Sequence, residues 1–175
     1  NLVVIFTRAA ASSVRINQVF ETTPSLTQPQ QAQTAPSQLD FIRFENVAFR
    51  YDANGGLALQ NINFSLKPGE FIGITGATGS GKTTLTQLIP RFYDVAAGRI
   101  LVNGLDVREW DLAALRHQIA FVPQTAVLFH GTIRENLQWG KADATDAECF
   151  QALATAQCRE FVEKLPEGLN TVVME

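Results

Sequence analysis

Residues 76–84 read Gly76-Ala77-Thr78-Gly79-Ser80-Gly81-Lys82-Thr83-Thr84. The spacing G-x-x-x-x-G-K-T is typical of a loop that binds the phosphates of a nucleotide. Its glycines allow backbone angles and close approaches that a Cβ atom would prevent, so that successive N–H groups can turn inward around an anion. Lys82 would add a positive charge for the β- and γ-phosphates, and the Thr83 hydroxyl could ligate Mg²⁺. The loop therefore predicts a binding site for a nucleoside triphosphate.

The sequence on either side of this loop has the pattern that such a loop needs. Residues 71–75 form an apolar run, which predicts a buried strand, while Leu85, Leu88 and Ile89 have helical spacing. In the order strand, loop, helix, the positive end of the helix dipole points at the bound phosphates. We expect this helix to begin at the loop and to end or kink at Pro90.

The composition is that of a globular protein and gives no support to a nucleic-acid partner. The chain has 175 residues, of which 46% are hydrophobic and 18% charged. Its net charge is −3, so the protein is acidic. Nucleic-acid-binding domains usually have a basic surface instead. Cys149 and Cys158 have no neighbouring metal ligands, so buried or half-buried thiols in a reducing compartment are expected. We interpret His117 and His130 as ordinary surface or packing residues.

The N-terminal part of the chain differs in composition from the rest. Residues 1–21 predict a helix in which apolar positions become fewer as Arg8 and Arg15 enter. The residues alone leave two interpretations open, the cytoplasmic end of a membrane-spanning helix or a plain amphipathic helix. Residues 22–38 are uncharged and interrupted by prolines, which predicts a linker. A globular domain is expected from about residue 39.

The predicted domain mixes strands with short helices. Strand patterns cover residues 41–49, 61–66, 71–75, 99–103 and 119–122. The dipeptides Pro68-Gly69 and Asn103-Gly104 predict tight turns. Helices are predicted over residues 110–116 and 159–165, and the capping box Thr145-x-x-Glu148 predicts the start of another.

Three further features accompany the phosphate loop in a recognisable order. Tyr51 precedes it, Gln124 follows it in Phe-Val-Pro-Gln, and residues 129–137 read Phe-His-Gly-Thr-Ile-Arg-Glu-Asn-Leu. Together with the loop, they resemble the ATP-binding domain of an ABC transporter. More narrowly, the chain resembles the exporter type, in which the membrane and ATPase parts share one polypeptide. The resemblance covers the whole chain, because residues 1–21 resemble the stretch where the last transmembrane helix leaves the membrane.

The resemblance implies an α/β fold, a partial P-loop NTPase core with an antiparallel β subdomain. A helix that is the end of a transmembrane segment would precede it. Residues 1–21 would be that helix end, residues 22–38 a linker, and residues 39–175 the N-terminal part of the ATP-binding domain. The family's signature segment, its acidic Asp–Glu pair and its switch histidine have no counterpart here. We therefore expect the chain to stop before them, and neither His117 nor His130 can be assigned the switch role.

The resemblance also implies a role for each matching residue. Tyr51 would stack on adenine, as flat rings do on bases elsewhere, and residues 76–84 would bind the phosphates. Lys82 and Gln124 would be the catalytic residues, while Thr83 and Gln124 would ligate Mg²⁺. The loop of Gln124 would report the state of the nucleotide to the membrane part. Residues 129–137 would receive the coupling helices of the membrane domain.

The implied activity is ATP hydrolysis coupled to export, at the cytoplasmic face of a plasma or inner membrane. ATP would lie between two ATPase domains of like or unlike protomers, and this chain alone would bind ATP weakly without turnover. Three alternatives remain: a soluble importer ATPase subunit, a non-transport P-loop ATPase, or a module that only binds nucleotide. A GTPase is disfavoured because no Asn-Lys-x-Asp motif is present. The sequence does not predict the transported substrate.

Overall fold

A computed structural model describes residues 2–29 and 41–173 of the chain. The chain divides into two compact units, Asn1–Ala120 and Phe121–Glu175. The first unit contains α1 (Leu2–Glu21), β1 (Ile42–Phe49), β2 (Leu59–Leu66), α2 (Lys82–Leu88), β3 (Ala97–Val102), β4 (Leu105–Asp106) and α3 (Leu112–His117). The second contains β5 (Gly131–Thr132), α4 (Ile133–Gln138), α5 (Asp146–Thr155), α6 (Arg159–Glu163), a 3₁₀ turn (Gly168–Asn170) and β6 (Val172–Val173).

An antiparallel sheet with the strand order β2-β1-β3-β4 forms the centre of the first unit. Phe44 of β1 pairs with Phe64 of β2 on one side and with Ile100 of β3 on the other. The Phe44 and Phe64 rings are stacked with their centroids 4.5 Å apart. Apolar side chains alternate with polar ones along β2 at Ile62, Phe64 and Leu66, because one face of the sheet is more buried than the other.

The helix that follows the phosphate loop packs on the same core as the sheet. Leu85 and Leu88 of α2 are buried in one cluster with strand residues such as Val47 and Phe49. Trp110 belongs to this cluster at 1% exposure, and its indole N–H donates to the carbonyl of Val102 at 3.2 Å. The phosphate loop is therefore attached to a rigid support, because its helix cannot move without disturbing the core.

Local sequence signals are confirmed. The Glu70 N–H donates to the Lys67 carbonyl at 3.1 Å, and Gly69 has the positive φ that a type II turn requires. The predicted helix starts and capping box are present, with small shifts. α3 begins two residues later than predicted, because Asp111 accepts the Ala114 N–H and caps the helix. α5 begins with the predicted capping box of Thr145, and α6 is shorter than predicted.

Two of the predicted strands are wrong. Residues 71–75 and 119–122 adopt no strand, and residues 71–75 are exposed, with Phe71 fully so. A strand is stable only when a neighbouring strand satisfies its backbone N–H and C=O groups. Within residues 41–173, the strands of the larger sheet pair only among themselves, and neither apolar segment joins that sheet. An apolar pattern indicates that a segment tends to be buried. To form a strand, the segment also needs a neighbouring strand to which its backbone groups can hydrogen-bond.

The second unit has a small core of its own. Cys149, Leu153, Val162 and Leu169 are buried together. Both cysteines are free thiols, and the expectation of burial is confirmed for Cys149 but is wrong for Cys158, which is exposed. Lys141 and the Thr145 backbone lower the pKa of Glu148 at the start of α5 to about 2.

The predicted N-terminal helix is present as α1, over Leu2–Glu21. No helix in the described part of the chain combines the length and apolar character needed to cross a membrane. Residues 22–29, the first part of the predicted linker, have no regular secondary structure, and residues 30–38 lie outside the described ranges. The division of the chain at residues 21 and 38 stays a prediction.

A buried arginine lies shortly after the phosphate-loop helix, which ends at Leu88, and contacts the segment after α1. Arg91 is 3% exposed, and its guanidinium donates to both carboxylate oxygens of Asp94, at 2.7 and 3.1 Å. The same guanidinium donates to the Thr27 carbonyl at 3.1 Å, across 64 residues of sequence. A buried guanidinium needs a counter-ion, since an unpaired charge in the interior is costly.

We expect Asp94→Asn to lower the free energy of unfolding by about 2 kcal/mol, because it leaves the buried Arg91 charge without its partner. The loss is smaller than for a fully buried pair, since the Asp94 side chain is 33% exposed. Urea denaturation of both proteins measures the difference. Asp143→Asn is the matched control at an exposed aspartate and should change stability by less than about 0.5 kcal/mol. Equal stabilities of Asp94→Asn and Asp143→Asn would contradict the role given to this pair.

Candidate nucleotide-binding site

The phosphate loop reaches α2 through a glycine that no other residue can replace without strain. Gly81 caps α2 with φ +89° and ψ 10°. A Cβ atom at this position would lie 2.6 Å from Leu59 Cδ2 and 3.1 Å from the Ala58 carbonyl oxygen. The loop therefore passes directly against the start of β2.

Lys82 folds its side chain back along the loop that precedes it. Its Nζ donates to the carbonyl oxygens of Gly76 at 2.7 Å and Ala77 at 2.8 Å, and it lies 3.5 Å from the Ser80 hydroxyl. These are bonds to neutral acceptors. A phosphate oxygen carries a negative charge and is a stronger acceptor for an ammonium group. An anionic ligand can therefore compete for this lysine.

Tyr51 lies beside the first turn of α2. Its hydroxyl oxygen is 2.7 Å from the Thr84 Oγ1, so the two groups share a hydrogen bond across 33 residues of sequence. The Tyr51 ring makes edge contacts with Phe49 at 4.8 Å and with Tyr93 at 5.3 Å between centroids. Tyr51 as a whole residue is still 57% exposed. The structure thus brings Tyr51 and the phosphate loop together, and leaves much of the aromatic surface open.

The sequence reasoning missed Tyr93. It follows α2 in the stretch Arg91-Phe92-Tyr93-Asp94 and contacts the rings of both Phe49 and Tyr51. The available signal was a pair of large aromatic residues directly after a helix end, where turn residues are expected. That signal indicates packing, but it does not identify the partner.

Thr83 is exposed in the first turn of α2 and presents a hydroxyl oxygen. Oxygen is the donor that Mg²⁺ prefers, and Mg²⁺ usually keeps several waters and binds through substrate phosphates with one or two protein ligands. Among the residues that the structure describes, no group of three or more His, Cys, Asp or Glu side chains could hold a metal ion. The donor set therefore fits a Mg²⁺ ion that arrives with a nucleotide, rather than a metal held by the protein alone.

The remaining predicted site residues lie in the second unit. Gln124 is exposed in an irregular segment. In residues 129–137, the Asn136 side chain accepts the Phe129 N–H and donates to the Phe129 carbonyl, both at 2.8 Å. The Phe129 ring lies 4.9 Å from the Trp139 ring, and both are more than half exposed. An exposed aromatic pair is thereby held in a fixed position.

The start of α4 is fixed by a capping box in the same segment. Thr132 caps the helix, and the Glu135 carboxylate accepts the Thr132 N–H at 2.7 Å. This hydrogen bond from the Thr132 backbone holds the pKa of the Glu135 carboxyl below its usual value. Residues 129–137 are therefore a preformed surface rather than a loose loop.

The loop, its helix and the adjoining antiparallel sheet define the chain as a nucleotide-binding protein of the P-loop class. Comparison with known proteins narrows the class. The sequence model described as "ABC transporter" matches residues 59–172. The chain belongs to the ABC transporter family.

Several relatives and one solved structure agree with this assignment. An uncharacterized ABC transporter ATP-binding protein of Bacillus subtilis, YfiB, is 45% identical over 98% of this chain and 30% of its own length. An ATP-dependent lipid A-core flippase of Syntrophus aciditrophicus is 38% identical over 94% of this chain and 27% of its own length. The structure of a bacterial Atm1-family ABC exporter with ATP bound superimposes with a TM-score of 0.87 at 31% identity, covering 97% of this chain and 29% of that one.

These matches confirm the resemblance to the ATP-binding domain of an exporter-type ABC transporter, and with it the mixed α/β fold. The chain spans less than a third of the length of the relatives named above. The roles of single residues stay predictions.

Proposed function

We propose that this chain is the ATP-binding part of an ABC exporter, in which ATP binding and hydrolysis drive the export of a substrate across a membrane. The observation that carries the proposal is the hydrogen bond between Tyr51 and Thr84. It joins an exposed aromatic ring, suited to stacking on a base, directly to the helix of a phosphate-binding loop. A base and a triphosphate of one nucleotide can therefore be bound on neighbouring surfaces. Two of the proteins named above, a flippase and an exporter, support the proposal that this site drives export.

Each site residue has a defined part in this proposal. Tyr51 stacks on adenine, and residues 76–84 bind the phosphates. Lys82 replaces its carbonyl partners by phosphate oxygens and so neutralises negative charge, which is the main requirement of phosphoryl transfer. Thr83 and Gln124 would hold a Mg²⁺ ion. When bound, this ion would neutralise negative charge on the phosphates. Lys82 and Gln124 would be the catalytic residues, because in this proposal both would touch the reacting groups.

The proposal includes partners. A second ATPase domain, from a like or unlike protomer, closes over the nucleotide. ATP favours this closed pair because it binds the closed pair better than the open one. Residues 129–137, with the fixed Phe129–Trp139 pair, receive the coupling helices of the membrane domain. Residues 1–21 are the cytoplasmic end of its last helix, so residues 39–175 lie at the cytoplasmic face.

This chain by itself binds ATP weakly and does not turn it over. Its sequence has no counterpart of the family's signature segment or of the acidic pair that would position the attacking water. Binding of a fluorescent ATP analogue, together with phosphate release, tests this statement. Multiple-turnover hydrolysis by the 175-residue chain would contradict it.

The function is tested in the full-length protein through Gln124. We expect Gln124→Ala to leave ATP affinity within about twofold and to reduce transport-coupled hydrolysis at least about tenfold, because a catalytic residue of this kind acts on the chemical step rather than on ground-state binding. ATP affinity and substrate-stimulated phosphate release are measured in lipid vesicles. Gln151→Ala, at an exposed glutamine of α5, is the control and should change neither quantity. Equal losses of binding and hydrolysis in Gln124→Ala would mean that Gln124 is only structural.

A further inference from the structure

An aromatic residue from the segment after α2 lies against Tyr51. Tyr93 comes shortly after this helix, which ends at Leu88, and the centroid of its ring is 5.3 Å from that of Tyr51. We propose that Tyr93 is a positioning residue for the base: together with Phe49, its ring holds the Tyr51 ring in the orientation on which a base stacks. This inference rests on the proposed function, since it assumes that Tyr51 meets the base of a bound nucleotide.

The rings of Phe49, Tyr51 and Tyr93 contact one another pairwise. The centroids are 4.8 Å apart for Phe49 and Tyr51, and 5.5 Å apart for Phe49 and Tyr93. The Tyr51 ring is nearly perpendicular to both neighbours, at 83° to Phe49 and 88° to Tyr93. Aromatic rings favour such edge-to-face contacts at these distances. Phe49 is 2% exposed and Tyr93 is 41% exposed, so the Tyr51 ring has one neighbour in the core and one at the surface.

The turn that presents Tyr93 is itself held in place. Arg91 is buried, and its guanidinium donates to both carboxylate oxygens of Asp94, so an ion pair closes the turn around Tyr93. The Arg91 N–H donates to the Leu88 carbonyl at 3.1 Å, which joins the turn to the end of α2. The Arg116 side chain of α3 donates to the Arg91 carbonyl, also at 3.1 Å. Tyr93 is therefore a fixed neighbour of Tyr51.

The ring contacts differ from the Tyr51–Thr84 hydrogen bond in how a ligand can affect them. Thr84 belongs to residues 76–84, which bind the phosphates in the proposed function, so a charged phosphate oxygen can compete with Tyr51 for the Thr84 hydroxyl. The contacts with Phe49 and Tyr93 are between rings and are not open to this competition. Without them, a surface tyrosine samples several rotamers, and binding has to order it. Tyr93 therefore preserves the orientation of Tyr51 while the nucleotide binds.

The consequence is an effect that depends on the base of the ligand. A nucleotide whose base stacks on Tyr51 benefits from Tyr93, because the ring it meets is already ordered. Inorganic tripolyphosphate, which has no base, does not benefit. Tyr93 thus contributes to the selection of nucleotides over inorganic polyphosphates, and it does so through Tyr51 rather than through a contact of its own with the ligand.

The first experiment compares ATP with inorganic tripolyphosphate as ligands of the full-length protein, by isothermal titration. We expect Tyr93→Leu to weaken ATP binding roughly three- to tenfold, the worth of one aromatic pair, and to change tripolyphosphate binding less than about twofold. Tyr93→Phe keeps the ring and should bind ATP normally. In a Tyr51→Ala protein, adding Tyr93→Leu should cause no further loss of ATP affinity. Phe161→Leu, at an exposed phenylalanine of α6, is the matched control and should bind both ligands normally.

Four results overturn the inference. Unchanged ATP affinity in Tyr93→Leu would mean that Tyr51 keeps its orientation without Tyr93. An equal loss of ATP and tripolyphosphate affinity would mean that Tyr93 supports the fold as a whole rather than the base site. A further loss when Tyr93→Leu is added to Tyr51→Ala would mean that Tyr93 acts independently of Tyr51. A loss in Tyr93→Phe as large as in Tyr93→Leu would mean that the hydroxyl group acts and not the ring contact.

The second experiment needs no ligand and uses the 175-residue chain, which has two tyrosines, Tyr51 and Tyr93. In both Tyr93→Phe and Tyr93→Leu, ring ¹³C labelling of tyrosine therefore gives NMR signals from Tyr51 alone. We expect these signals to differ between the two variants, because the first keeps a neighbouring aromatic ring and its ring current, whereas the second does not. Adding Phe161→Leu to Tyr93→Phe should leave the signals in place.

The two experiments together separate failure of this inference from failure of the proposed function. If the Tyr51 signals differ between Tyr93→Phe and Tyr93→Leu but the full-length wild-type protein binds no ATP, the proposed function fails and the Tyr93 inference falls with it. If the full-length protein binds ATP but the Tyr51 signals are the same in both variants, only the Tyr93 inference is overturned.

Discussion

Lys82→Ala will lower the affinity of the full-length protein for ATP by at least about 100-fold. The Lys82 Nζ already lies within the phosphate loop, bonded to the carbonyls of Gly76 and Ala77. An ammonium bonded to a phosphate contributes about 1.5–3 kcal/mol for each hydrogen bond, and two such bonds account for the predicted factor. Displacement of a fluorescent ATP analogue measures the loss.

The same variant separates binding from folding. The Lys82 contacts are exposed, so their removal should change the free energy of unfolding by less than about 0.5 kcal/mol. Lys164→Ala, at an exposed lysine of the second unit, is the control and should bind ATP normally. Near-normal ATP binding by Lys82→Ala would remove the phosphate loop from the proposed site. A matching loss of stability would instead indicate that the lysine holds the loop together.

The parts of the fold that could be predicted from the sequence are those fixed by near neighbours in the chain. The type II turn at Gly69 and the capping box at Thr145 each depend on residues within four positions, and both are present. The start of α2 belongs to the same group, because Gly81 directly precedes it. In each case the residues that decide the geometry are visible in one short window of sequence.

The strands predicted at residues 71–75 and 119–122 are absent, and local sequence could not have excluded them. Both segments have the apolar character of buried strands, but strand formation depends on a hydrogen-bonding neighbour that can come from anywhere in a protein. Among the residues that the structure describes, the strands of the larger sheet pair only with one another. A local pattern cannot supply that information.

The candidate site also contains parts that could be predicted from the sequence and parts that could not. The phosphate loop could be predicted from its spacing, and Tyr51 from the family resemblance. The hydrogen bond from Tyr51 to Thr84 spans 33 residues and depends on how β1 packs beside α2. The contribution of Tyr93 depends on the same packing, since its ring meets the rings of Phe49 and Tyr51 only in the folded chain. Neither contact has a sequence pattern of its own.

Gly81→Ala will lower the free energy of unfolding of this chain by roughly 2–5 kcal/mol and weaken ATP binding at least about tenfold. A left-handed backbone costs a residue with a Cβ atom about 1–2 kcal/mol, and forced overpacking costs about 1–3 kcal/mol more. At Gly81 both apply, because φ is +89° and the new Cβ would lie 2.6 Å from Leu59 Cδ2. Relief requires α2 to move away from β2, which displaces the loop that holds the phosphates.

Gly79→Ala isolates the first of these two costs. Gly79 has a similar φ of +83°, but a Cβ atom there would meet nothing within 4 Å. We therefore expect Gly79→Ala to cost only about 1 kcal/mol in urea denaturation, the strain of the backbone alone. The difference between the two variants then measures the contact between the loop and β2. If the two alanines cost the same, that contact contributes nothing, and the position of the phosphate loop must be set by Lys82 and the buried face of α2 instead.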